Sequence, residues 1–241
     1  MNFLCISSYD NDLEWVGNYP NPHLIYDKTW NGGSYKDVVV KPSGLKEKYP
    51  HYNIVNASPN GYNIYDYMTF ILDHYDNLPD VTSFIKGNTV GRHVTQEFFD
   101  KIINSKCFCP VEEWTFHDLD QPALQNGYAM LSPDGGWMET NNSWYLNTSS
   151  HPSKYFRTYN EFMQFCFKNP VLPRYVRFAP GTNYVVPKEY ILKYDKIFYE
   201  NIRTFVSHSQ LSGESHMIER ALYTIWMCNF DVADTMKELV K

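Results

Sequence analysis

Apolar and polar positions recur along the chain at two periods, and the changes of period mark out its elements. Phe3 to Ser7 is one short apolar run and Leu24-Ile25-Tyr26 another, each the length of a buried strand. Between them, Asp10-Asn11-Asp12 and Asn18-Tyr19-Pro20-Asn21-Pro22 are turn sequences, and Leu13, Trp15 and Val16 predict a short helix capped by Asp10 or Asp12. From Asn63 to Asn77 the period lengthens. Ile64, Met68, Ile71, Leu72 and Tyr75 fall on one stripe, which predicts a helix. Leu78-Pro79-Asp80 ends it, and Val81 to Ile85 reads as a β-branched strand closing at Gly87. A second helix is predicted from Thr95 to Asn104, around Phe98, Phe99, Ile102 and Ile103.

From Cys107 to Pro152 the pattern breaks into Pro, Gly, Asn and Trp-rich sequence, expected to be a loop-rich excursion with short strands. Order returns with a helix over Tyr159–Lys168. Strands follow over Arg174–Phe178 and Asn183–Val186, joined as a hairpin across Pro180-Gly181. Helices are then predicted from Pro187 to Lys193, Asp195 to Val206 and Gly213 to Cys228. Strands alternate with helices early and mix with them later. The expected fold class is therefore α/β, one domain over 1–241 with a mixed central sheet between helix layers.

Composition narrows the function classes. Hydrophobic residues make up 43% and charged residues 20%, which excludes a disordered chain. Lys and Arg number 21 against 27 acidic residues, a net charge of -6, so no nucleic acid is expected as a partner, while a small basic pocket remains open. Aromatics reach 17%; most fill a core, and Tyr and Trp also suit sugar rings and nucleobases. No run approaches the roughly 18 apolar residues of a membrane span. Five Cys, with Cys107 and Cys109 in a C-x-C that lacks a second pair, point to a reducing, cytoplasmic setting.

The stretch from Tyr75 to Asn88, Tyr-Asp-Asn-Leu-Pro-Asp-Val-Thr-Ser-Phe-Ile-Lys-Gly-Asn, resembles the signature of a domain family of unknown function that is similar to glycosyltransferases. A second likeness lies in Arg177-Phe178-Ala179-Pro180-Gly181-Thr182-Asn183-Tyr184-Val185-Val186, and a third in Phe198-Tyr199-Glu200 with Glu219-Arg220 and Trp226. Ser8 to Trp15 and Ile25-Tyr26-Asp27-Lys28 sit where the family has comparable motifs. The resemblance spans most of the chain outside Cys107 to Pro152. It departs at Tyr62 and Asn63, where the family has a basic-acidic pair, and at Lys86, where it has Gln.

The resemblance implies a GT-A (Rossmann-like) glycosyltransferase that moves a monosaccharide from a nucleotide-diphosphate sugar to a glycan acceptor. Residues 1–105 would form the nucleotide-sugar half, 106–152 the excursion and 153–241 the acceptor half. In that architecture an Asp-x-Asp closes a central strand and holds a divalent metal; here the strand closes in Lys86-Gly87-Asn88. Asp118 and Asp120 are the alternative carboxylates for Mn or Mg, with a solvated acidic loop as the plain explanation. Without a metal, Lys86, Arg92 and His93 would meet the diphosphate, with Gly87 and Gly91 admitting it to the backbone. Tyr9, Asp10 and Lys28 at strand ends, Asn63 and Asp66 on the helix, and Asn88 complete the donor set. Glu214, in the first turn of the last helix, is the expected base, with His216 and Glu219 behind it, and simple helix-end charge explains Glu214 equally. Phe178, Gly181, Thr182 and Asn183 are the expected acceptor contacts. A non-catalytic carbohydrate-binding protein fits the aromatic composition as well. A glycoside hydrolase would need two carboxylates about 5 to 9.5 Å apart.

Overall fold

The computed structural model describes residues 1–28, 44–113, 122–141 and 150–240. Among these residues nine strands form in chain order: β1 (Phe3–Ser8), β2 (His23–Asp27), β3 (Ile54–Asn56), β4 (Val81–Lys86), β5 (Cys109–Pro110), β6 (Ala129–Leu131), β7 (Trp137–Thr140), β8 (Tyr175–Arg177) and β9 (Tyr184–Pro187). Six of them make a sheet in the order β3-β2-β1-β4-β9-β5, and β6-β7-β8 make a second, smaller sheet. The helices are α1 (Leu45–Lys48), α2 (Tyr62–His74), α3 (Gln96–Ile102), α4 (Pro122–Gln125), α5 (Tyr159–Cys166), α6 (Lys188–Ile191), α7 (Lys196–Val206) and α8 (Gly213–Met227), with a 3-10 turn over Glu14–Asn18.

Strands β3, β2, β1 and β4 run parallel and β9 runs antiparallel to β4, so the large sheet is mixed. Successive side chains of a strand point to opposite faces, and here each face is apolar. Cys5, Tyr26, Phe84 and Tyr184 pack against α2, α5, α7 and α8. Leu4, Ile6, Ile25 and Ile85 pack against Val16, Leu45, Phe99 and Ile103 on the other side. Burial on both faces explains why β1 and β4 read as continuous apolar runs rather than alternating ones. The chain leaves β1 toward β2 and reaches β4 only after β3, so the crossovers diverge between β1 and β4. Ligands of open α/β sheets gather at the carboxyl ends of strands flanking such a point.

The expected hairpin at Pro180-Gly181 does not form. β8 pairs with β7 in the small sheet, whereas β9 pairs with β4 and β5 in the large one. Gly181 (φ +80°) and Thr182 (φ +59°) turn the chain between the two sheets, and the partners of each strand are distant in sequence. The excursion supplies β6 and β7, so its described part belongs to the domain. The Tyr75–Asp80 stretch lies at the amino end of β4, away from Lys86, beside an open depression lined by Tyr75, Asp76, Asn77, Leu78, Lys188 and Leu192. Its ties there hold the fold: Tyr75 Oη donates to the Tyr194 carbonyl at 2.7 Å, and Lys188 pairs with Asp80 at 2.6 Å.

Candidate functional site

At the carboxyl end of β4 the backbone N–H of Lys86 donates to Asn183 Oδ1 (2.9 Å), which also accepts from the Thr89 hydroxyl (2.8 Å). That tie anchors the turn after β4 to the start of β9. The turn then doubles back at Gly91 (φ +80°), where the backbone conformation itself favours glycine, and returns Arg92 and His93 over the strand end. A methyl group placed on Gly181 would lie 2.9 Å from His93 Nε2 and 3.1 Å from Lys86 Cδ. The Gly181 N–H donates to Glu219 Oε1 of α8 at 2.7 Å, and its carbonyl accepts from Asn63 Nδ2 of α2 at 2.8 Å. One glycine thus brings β4, its following turn, the start of α2 and the middle of α8 to one place. Here the structure gathers Asn63, Lys86, His93, Gly181, His216 and Glu219 from the expected set.

On α8, His216 and Glu219 are one turn apart, with Nδ1 and Oε2 separated by 3.9 Å, an ion-pair rather than a hydrogen-bond distance. The His216 ring packs edge-on against His151 (4.6 Å between centroids) and against Tyr62 (5.2 Å). Tyr62 Oη and His151 Nε2 are hydrogen-bonded at 3.2 Å. Burial, and then the neighbouring His216, push the His151 imidazole below its usual value, toward the neutral form. Glu219 is fixed from behind by Arg220, which is fully buried and reaches Glu219 Oε2 at 3.3 Å and Glu139 Oε2 of β7 at 2.5 Å. Trp137 Nε1 donates to the other Glu139 oxygen at 3.0 Å. The small sheet therefore braces the carboxylate of α8.

Among the described residues four non-glycine positions hold a positive φ, and two of them lie here, Tyr62 (+49°) and Thr182 (+59°), the latter costly for a β-branched side chain. Such outliers persist where the surroundings over-determine them, commonly at functional sites.

Several expected contacts lie elsewhere. Glu214 is fully buried: Oε1 accepts from the backbone N–H groups of Lys154 and Tyr155, both at 2.7 Å, and Oε2 meets His208 Nε2 at 2.8 Å. Its oxygens hold a chain turn, which leaves them no place in a base. Lys28 and Asp66, expected at the donor, form a fully buried ion pair at 3.0 Å. Lys28 also donates to the Ser58 and Asn60 carbonyls, and Ser7 Oγ donates to Asp66 Oδ2 at 2.5 Å. Burial pushes Asp66 up to about 6 and Lys28 down, each toward its neutral form. Phe178, Thr182 and Asn183 are buried too; Phe178 lies under the Arg220 guanidinium, 4.6 Å from ring centroid to Cζ. They are packed into the fold beneath the Gly181 loop and present almost no surface to an acceptor. Gly87 serves the fold, because a Cβ there would sit 2.6 Å from Asn11 Oδ1. Tyr9, half-buried, and Asp10, exposed, do sit at the end of β1, and Asn88, half-buried, follows β4. Asp118 and Asp120 lie outside the described residues.

Sequence reading passed over His151, Glu139 and the bracing role of Arg220. Arg220 carried a signal: it falls three residues after Met217, on the packed side of α8, where an unpaired charge is untenable. His151, isolated within a polar stretch, carried none.

Electrostatically Lys86 stands apart at this strand end. Burial and then Arg92 push its amine down to about 8, and Glu219 only partly opposes them. Among the described residues, no group of three or more His, Cys, Asp or Glu side chains is arranged to hold a metal ion. The cations gathered at the end of β4 do not suit a divalent cation at that point.

The family model described as a protein of unknown function (DUF3431) matches residues 7–238. The chain belongs to this DUF3431 family. No curated protein and no solved structure matches it. Among the described residues, no helix of this DUF3431 protein is long and apolar enough to cross a membrane.

Proposed function

We propose that this protein is a glycosyltransferase of the GT-A kind, moving a monosaccharide from a nucleotide-diphosphate sugar to a hydroxyl of a glycan acceptor. The observation that carries the proposal is the meeting at Gly181 of a strand-end lysine, Lys86, with a carboxylate–imidazole pair on α8, Glu219 and His216. A transferase needs both: positive charge where the diphosphate leaves, and a base where the acceptor hydroxyl enters.

In this scheme the nucleotide lies over the ends of β1 and β4, near Tyr9 and Asn88, and the sugar points toward α8. The acceptor oxygen forms a bond to the anomeric carbon while the bond from that carbon to the diphosphate oxygen breaks, its electron pair leaving with the diphosphate. The acceptor proton passes to His216. Glu219, held by Arg220 and the Gly181 N–H, steadies the imidazolium that forms. The aromatic faces of Tyr62 and His151 give the acceptor ring a surface to lie on. Relative to the sequence expectation, the base moves two residues along α8, from Glu214 to His216.

Exchanging His216 for Gln tests the assignment. Turnover should fall by about 10²–10⁴-fold with donor affinity unchanged, the range for a positioned general base. Exchanging Glu214 for Gln should instead lower the melting temperature. A His216→Gln protein that turns over at the wild-type rate rejects the assignment. A chain that binds glycans but no nucleoside diphosphate would be a non-catalytic carbohydrate-binding protein.

A further inference from the structure

We propose that the donor's diphosphate is held and neutralised by Lys86 and Arg92 themselves, with no divalent cation. The proposal deepens the transferase reading and rests on it for the identity of the ligand, though not for the existence of an anion site.

Several other basic side chains of this acidic chain are ion-paired: Lys48 with Asp12, Lys101 with Glu97, Lys188 with Asp80, Arg220 with Glu139, and Lys28 with Asp66. Lys86 Nζ and the Arg92 guanidinium have neither a hydrogen bond nor an ion pair among the described residues; Lys86 and His93 flank Gly181, Arg92 precedes His93 in the same turn, and its charge disfavours that on Lys86. Like charges gathered in one turn cost free energy that an anion bound there would recover.

The start of α2 adds a third, independent source of positive potential. This 13-residue helix has no side-chain cap, and Asn63 in its first turn touches the Gly181 loop. Its first-turn N–H groups and dipole favour negative charge there. A divalent cation at the same point would face an ammonium, a guanidinium and a helix amino end, and Glu219, the carboxylate at the Gly181 loop, is already held by the Gly181 N–H and Arg220. A leaving diphosphate would be stabilised by all three, with charge-assisted bonds from Lys86 and Arg92. Because the free Lys86 amine titrates at about 8, its hold on an anion should weaken as the pH rises above that value.

Isothermal titration with inorganic pyrophosphate and with UDP, GDP and CDP, each in EDTA and in Mn, tests the inference on the full chain. Pyrophosphate should bind in EDTA. Affinity should drop at least about tenfold in Lys86→Met and several-fold in Arg92→Gln, an exposed position that leaves folding intact, in line with charge-assisted bonding. Wild-type affinity should also fall between about pH 8 and 10, a fall that Lys86→Met lacks. Binding that requires Mn, or equal affinity in both variants, overturns the inference. The two ideas fail separately. Pyrophosphate binding with no preference for any nucleoside diphosphate keeps the anion site and removes the nucleotide-sugar reading. Nucleoside diphosphate binding that needs Mn keeps the reading and removes the metal-free site.

Discussion

Two lysines stand just past parallel strands of the same sheet, Lys28 after β2 and Lys86 at the end of β4, and the sequence offers both equally as donor contacts. The structure makes them opposites. Lys28 is fully buried, ion-paired with Asp66 at 3.0 Å, and donates to two backbone carbonyls. Lys86 is half-buried, has no ion pair among the described residues, and feels Arg92 more than any carboxylate. A buried charge whose partners are supplied by the chain is architecture; one left for a ligand to satisfy marks a site. Position at a strand end selects candidates, and satisfaction separates them.

The largest stability effect should come from breaking the satisfied pair. Lys28→Met leaves Asp66 buried without its partner, and should cost about 3–5 kcal/mol in urea unfolding. Removing both charges with Lys28→Met and Asp66→Leu should restore much of it, and a single-variant loss under about 1 kcal/mol would erase the distinction drawn here. Next comes Gly87→Ala, expected to cost about 1–3 kcal/mol by overpacking against Asn11 and to be relieved by Asn11→Ala. If Asn11→Ala brings no relief, Gly87 answers to something other than that contact.

Lys86→Met should act with the opposite sign, raising stability at pH 7 by about 1 kcal/mol while abolishing anion binding. The sign follows from protonation. The folded amine titrates at about 8, below its unfolded value of 10.5, so the folded state binds fewer protons between those values. The penalty of the buried charge is therefore complete below pH 8 and fades toward pH 10.5, and the advantage of Lys86→Met should shrink across that window. An advantage that grows with pH would contradict the cause given for the shift. Smallest of all, Arg92→Gln should move stability by under about 0.5 kcal/mol, because the side chain is exposed and unpaired.

Much of the fold is legible in the chain because its signals are local. The stripe from Ile64 to Leu72 gives α2, Val81 to Ile85 gives β4, and Thr95, whose hydroxyl accepts from the Phe98 N–H, caps α3 as its sequence suggests. Pairing partners are another matter. Nothing within Arg174–Val186 tells that its two strands enter different sheets, since β7 and β4 lie far off in sequence. The site follows the same rule. Lys86, Glu219 and His216 can be suspected from type and place, but Glu214 looks identical to a base until the Lys154 and Tyr155 N–H groups are seen on its oxygen. His151 reaches the site only through the fold.

The most direct test of the central claim is a crystal structure of the chain with UDP bound. A diphosphate oxygen within about 3 Å of Lys86 Nζ, with the terminal phosphate facing His216 across the Gly181 loop, is the expected result. UDP seated elsewhere on the molecule, with Lys86 and Arg92 touching only solvent, would contradict it.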